Sequence, residues 1–111
     1  MTPESRLLAE IRNALNRLPH VRAFRNNCGV LRDEKGRYVR YGIPGNGGSD
    51  LLGWVTRGGV AVVLAIEVKT ATGRLTPEQA NWLRVVTEAG GVAGCVRSAD
   101  EAVGLVEGDK L

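Results

Sequence analysis

No apolar stretch in this chain is long enough to cross a bilayer. The longest unbroken run, residues 60–66, has seven residues, against the ~20 that a spanning helix needs. The N-terminus is polar and charged, so it reads as no secretory signal. Cysteine is scarce: only Cys28 and Cys95 occur, far apart in sequence. Without a secretory signal they read as reduced thiols, and two alone do not make a zinc site. The single histidine, His20, follows Pro19 at a helix end and reads as a surface residue. Aromatics are few, and Trp54 and Trp82 read as core or dimer-interface residues rather than platforms for stacked bases. The glycines near residues 45–48 are not followed by the Gly-Lys-Ser/Thr of a P-loop. There is no internal repeat or low-complexity tract. These absences leave one ordinary globular domain over residues 1–111, in an intracellular setting.

What is present in excess is arginine. Twelve of the fifteen cations are arginine, which suits bidentate contact with phosphate. The net charge of +3 is unevenly spread: residues 1–57 carry +5 and residues 58–111 carry −2. The basic excess is densest at Arg22, Arg25, Arg32, Lys35, Arg37, Arg40 and Arg57. A basic half points to a polyanionic partner, although a merely solvated face has the same composition.

Thr2-Pro3-Glu4 opens a helix, with threonine as cap and proline in the first turn. Leu7, Leu8, Ile11, Leu15 and Leu18 form one apolar stripe on it, and Pro19 closes it. Residues 21–27 read as a strand, and residues 29–41 as a basic hairpin turning at Asp33-Glu34-Lys35-Gly36. Residues 42–48 hold four glycines and a proline and must be irregular. A strand over 50–55, a turn at Arg57-Gly58-Gly59 and a strand over 60–66 follow; the last reads as buried on both faces. Thr76-Pro77-Glu78-Gln79 starts a helix that runs to about Ala89 and stops at Gly90-Gly91. Residues 92–96 read as a buried strand, and Ser98 caps a final helix carrying Ala102, Val103 and Val106. The order α-β-(hairpin)-β-β-α-β-α implies an α/β fold, a mixed sheet flanked by helices.

The chemistry concentrates where the apolar run ends in Glu67-Val68-Lys69. Strand side chains alternate, so Glu67 and Lys69 share a face. Charges at the end of a core strand are costly without partners. Asp50 and Glu67 lie 8 and 9 residues from Gly58, so an antiparallel hairpin turning there places them at the same end. Adjacent carboxylates repel unless a cation lies between them, and oxygen-only ligation with open positions suits Mg²⁺ or Mn²⁺. Lys69 on the same face could orient or deprotonate a water, or stabilise charge building on phosphate. The glycines at 45–48 would let a phosphodiester approach closely. A lone Glu-x-Lys is more often a structural ion pair; Asp50 upstream and Gln79 downstream shift the balance.

Ser49-Asp50, Glu67-Val68-Lys69 and Gln79 on the next helix resemble the PD-(D/E)xK nuclease superfamily. Within it, Phe24-Arg25-Asn26-Asn27, residues 42–50, Ala65 through Lys69 and Leu75 through Gln79 are similar to a small stand-alone VRR-NUC domain of the phage type. The resemblance implies a restriction-endonuclease-like fold. It implies Asp50 and Glu67 as metal ligands with the Val68 carbonyl, Lys69 as the catalytic lysine, and Gln79 beside the site. It matches Glu4 to an early acidic position that binds metal directly or through water, with Glu10 on the same helix as the alternative. It also implies branched DNA such as a four-way junction as substrate, a homodimer, and the cytoplasm of a bacterial or phage-infected cell. Arg25, Asn27, Arg37, Arg40 and Ser49 are the expected DNA contacts, though asparagines at a strand end also make ordinary turn hydrogen bonds. Ser49 departs from the superfamily's proline at that position. The rival readings are a non-catalytic DNA-binding module that kept the fold, an interaction protein whose Glu-x-Lys is only an ion pair, and a nuclease acting on RNA.

Overall fold

The computed structural model describes residues 2–27, 29–43 and 48–108. Cys28 and residues 44–47, with most of the expected glycine loop, lie outside them. Helix α1 spans Pro3–Asn16; strands β1, β2 and β3 span Val21–Arg25, Gly29–Arg32 and Tyr38–Tyr41. Strands β4 and β5 span Leu51–Arg57 and Val60–Val68, helix α2 Pro77–Glu88, strand β6 Val92–Val96 and helix α3 Ala99–Glu107. This is the element order read from the sequence.

Local chemistry explains the boundaries. Thr2 Oγ1 accepts the Ser5 amide at 3.0 Å, and Pro3 occupies the first turn, where its missing N–H costs nothing. Thr76 and Gln79 form a full capping box at the start of α2, and Ser98 caps α3. Gly58 and Gly59 both have positive φ, +58° and +78°, as a tight two-residue hairpin turn between twisted strands requires.

The main sheet has the order β1-β4-β5-β6, with β1, β4 and β5 antiparallel and β6 parallel to β5. Helices cover both faces. Ile11 and Leu15 of α1 and Ala102 and Val106 of α3 pack on Val21, Ala23, Leu51, Val55, Leu64, Ile66 and Val68. Leu83 and Val86 of α2 pack on Ala65 from the other side, with Leu52, Trp82 and Ala93 around them. The even positions of β5 from Leu64 onward therefore face α1 and α3, and Ala65 and Glu67 face α2. One expectation is corrected: β5 is buried on both faces only from Leu64 to Val68. Val60 and Val63 are 60% and 54% exposed, because the turn end of the β4–β5 hairpin extends past the helices.

The open edge of β1 is blocked locally. The Asn16 amide donates to the Ala23 carbonyl and accepts from the Ala23 N–H, each at 2.9 Å, so that edge cannot recruit another strand there. The β2–β3 hairpin forms a sheet of its own, with Leu31, Tyr38 and Val39 exposed and the Arg32 guanidinium 5.3 Å over the Tyr38 ring.

The pairing of β1 with β4 depends on Gly53. A Cβ there would fall 1.8 Å from the Arg22 carbonyl oxygen, a backbone atom that cannot swing aside. Gly53→Ala is expected to cost roughly 2 kcal/mol or more by forcing the two strands apart, at the upper end of ordinary point-mutant effects. Thermal unfolding checks this; a melting temperature within a degree of wild type would show that β1 is not held at this spacing.

Candidate active site

The carboxylate cluster is assembled by the β4–β5 hairpin. Asp50 stands one residue before β4, and Leu51 pairs with Ile66, which places Asp50 opposite Glu67. Asp50 Oδ2 accepts the Val68 amide at 2.8 Å, tying the two strand ends together. Lys69 continues the ladder to β6 by donating its amide to the Val96 carbonyl at 3.1 Å.

Glu67 is only 3% exposed. Its Oε1 accepts a weak bond from the Gln79 amide at 3.4 Å and lies 3.9 Å from Lys69 Nζ. Gln79 is itself fixed, because its Oε1 accepts the Thr76 amide within the capping box of α2. Glu67 Oε2 is buried and accepts no hydrogen bond among the described residues. Desolvation chiefly, then close approach to the Asp50 carboxyl, which favours the protonated form, then the Asp50 charge, push Glu67 up to about 8, and the Glu4 charge adds to this. Lys69 opposes the rise but does not cancel it. A long 3.9 Å ion pair does not compensate a buried anion beside a second carboxylate.

This donor set fits a hard divalent cation. Burial and the facing Asp50 carboxyl oppose ionisation of Glu67 more than Lys69 favours it, and a cation between the two carboxyls would reverse that balance. Mg²⁺ is commonly held by one or two carboxylates and keeps several waters, so a full protein cage is not required. Among the described residues no three His, Cys, Asp or Glu side chains converge on one point. The Glu4 charge contributes to raising Glu67.

The expected DNA contacts are scattered. Arg25 ends β1 beside α1, and Asn27 is exposed. Arg37 and Arg40 lie on the β2–β3 hairpin and its turn, and Arg37 Nε is spent on Asp33 at 2.7 Å. Ser49 is a correction: it is 1% exposed, so it is not presented to an incoming polyanion. Its hydroxyl donates to the Leu51 carbonyl at 3.0 Å and accepts the Trp82 indole N–H at 3.1 Å, which locks the approach to Asp50 against α2. Trp82 is half-buried on α2, while Trp54 is 39% exposed and tilts against Phe24 with ring centroids 5.6 Å apart. His20 is half-buried rather than a plain surface residue, with Nε2 3.1 Å from Glu107 Oε1.

Asn26 carries a role that the sequence left open between phosphate contact and turn bonding. Its amide donates to the Ile43 and Ser49 carbonyls at 2.5 and 3.0 Å and accepts the Ile43 N–H at 3.0 Å, and its backbone N–H donates to the Asp50 carbonyl at 2.8 Å. One asparagine thus staples both ends of the hairpin to the Asp50 segment. The only sequence signal was an asparagine at a strand end.

Among known families, the model of the VRR-NUC domain matches residues 3–100. Searches of curated proteins and of solved structures each gave no match. The match covers α1, the carboxylate hairpin, Lys69 and α2 together. The chain therefore belongs to the VRR-NUC domain family, within the PD-(D/E)xK nuclease superfamily, a family of nuclease-type DNA-processing domains.

Proposed function

We infer that this domain is a Mg²⁺- or Mn²⁺-dependent endonuclease that hydrolyses DNA phosphodiesters. The observation that carries the reading is the buried Glu67 oxygen without a donor, beside the Asp50 carboxyl. Asp50, Glu67 and the Val68 carbonyl would hold the ion, with Glu4 reaching it through water. The ion would supply charge neutralisation on the phosphate and a water acidified toward neutral pH. Asp50 is preorganised by the Val68 amide, and Gln79 holds the Glu67 carboxylate by one oxygen. Lys69, half-buried on the same strand face, places a cation where an incoming phosphate or water must pass. Arg25, Asn27 and Arg40 contact the DNA backbone.

The substrate is proposed to be branched DNA, cut by a homodimer, since a four-way junction presents two strands related by a twofold axis. Phe24, Trp54, Val63 and Val85 are exposed along the α2 side of the sheet and support a self-associating face. No helix among the described residues is long and apolar enough to cross a membrane.

A labelled four-way junction, a linear duplex and an RNA duplex are incubated with the protein in Mn²⁺, in Mg²⁺ and in EDTA. Junction cleavage is expected only with metal, with Asp50→Asn and Lys69→Ala slower by at least ~10²-fold. Binding that survives EDTA with no cleavage in any metal would identify a non-catalytic binding module instead. Equal cleavage by Lys69→Ala and wild type would remove the assigned chemistry. A strict monomer by sedimentation at micromolar concentration would remove junction resolution but leave the hydrolysis.

A further inference from the structure

A second small site lies on the opposite face of the sheet from α2. Ser5, Leu8, Ala9 and Arg12 follow one another at helical spacing on one side of α1, and with Arg25 they line a cleft of about 170 Å³. Arg25 is the last residue of β1 and pairs across from Leu51, the residue after Asp50. The cleft therefore lies at the same end of the sheet as Asp50 and Glu67, on the face that α1 covers.

Its cations are available. Among the described residues neither Arg12 nor Arg25 has a hydrogen-bond or ion-pair partner. Other arginines are committed: Arg22 to the Leu18 and Val21 carbonyls, Arg57 to the Val106 carbonyl, Arg84 to Glu88. The Ser5 hydroxyl accepts from Thr2 Oγ1 at 2.8 Å, which leaves its own proton free to donate. Two guanidinium groups lining one cleft without an intervening acid repel each other unless an anion joins them. Small-molecule sites usually occupy about 300–1,000 Å³, so this cleft is sized for a single oxyanion group rather than a free nucleotide.

We propose that Arg12, Arg25 and Ser5 form a seat for one backbone phosphate of the bound nucleic acid, at the same end of the sheet as Asp50 and Glu67. This rests on the nuclease reading for the identity of the ligand, but not for the anion binding itself. Its role is to anchor the nucleic acid: Arg12 and Arg25 grip a phosphate that is not cut, while another part of the backbone reaches the carboxylates.

Two experiments on the full chain test it. Inorganic phosphate is titrated into metal-free protein while the arginine Nε–H signals are followed by NMR; saturable shifts are expected at Arg12 and Arg25, lost in Arg12→Gln. No shift there, or equal shifts at the hairpin arginines, would overturn the seat whether or not the protein cuts DNA. DNA affinity in EDTA is then measured against salt for wild type, Arg12→Gln, Arg12→Lys and Arg25→Gln. Each glutamine variant is expected to reduce the salt slope by about 0.9, one phosphate's share. In cleavage assays the same variants should raise KM several-fold at unchanged kcat, with the double variant little worse than either single one because both act on one phosphate. Arg12→Lys, which keeps the charge, should keep the slope and guards against a folding artefact. Arg84→Gln on α2 should change nothing. Unchanged slope and KM in both glutamine variants would remove the seat; absence of metal-dependent cleavage in wild type would remove only the nuclease reading.

Discussion

Replacing Glu67 with glutamine is expected to stabilise the metal-free protein at pH 8 and at the same time abolish cleavage. The wild-type carboxyl is buried, faces a second carboxyl and is pushed up to about 8. Each unit of such a shift is about 1.4 kcal/mol held against the charged form. A glutamine has nearly the same shape, carries no charge, and can donate its amide protons to Asp50. For a domain of this size each kcal/mol moves the melting temperature by roughly 4–8 °C, so a rise of about 5 °C or more should be visible by calorimetry in EDTA. Cleavage, which needs the anion, should fall by ~10³-fold. The opposed signs separate two accounts of Glu67-Val68-Lys69. If the triplet were a structural ion pair, removing the anion would strand Lys69 and lower the melting temperature. A destabilised Glu67→Gln protein would therefore sink the metal-site reading.

The second expected result concerns pH. A carboxyl raised from 4.5 to about 8 binds its proton in the folded chain over a range where the unfolded chain has lost it. The folded state therefore binds more protons between those values, and stability falls as pH rises through them. The metal-free protein should be most stable, as far as this group is concerned, below about pH 4.5, and should lose stability progressively up to about pH 8. Divalent metal reverses the trend, because the ion requires the deprotonated carboxylate. Between pH 5 and 8 the apparent affinity for Mn²⁺ should climb by up to ~10-fold per pH unit, with about one proton released per ion bound. Calorimetric titration at pH 6.5 in two buffers of different ionisation enthalpy measures that proton. Zero release in wild type, or the same release in Glu67→Gln, would show that Glu67 is not the group displaced by the ion.

Much of this site is legible in the amino-acid sequence, because short-range rules govern it. Gly58-Gly59 demands a tight hairpin turn, and counting outward from it places Asp50 against Glu67. The period of two puts Glu67 and Lys69 on one face. Thr76 and Gln79 announce a capping box, and the box is what aims Gln79 at Glu67. In each case the cause lies within a few residues of its effect, or is transmitted by a regular strand.

Other features depend on which elements pack together. Glu4 and Glu10 are equally plausible on a bare helix, and the Glu4 charge is felt at Glu67 only because α1 packs on the sheet. Ser49 is an expected DNA contact by resemblance, but α2 brings the Trp82 indole over it and closes it off. The run of valines in β5 reads as uniformly buried, yet helix cover ends at Leu64. Asn26 and the Arg12–Arg25 cleft join residues that have no sequence relation to each other. By itself the sequence determined the elements, their caps, the hairpin and the identity of the acidic pair, because local sterics and hydrogen-bond periodicity suffice for these. Only the tertiary structure decided how strongly Glu67 is charged and which side chains surround it. Burial and the distances between elements depend on long-range packing, which no local pattern encodes.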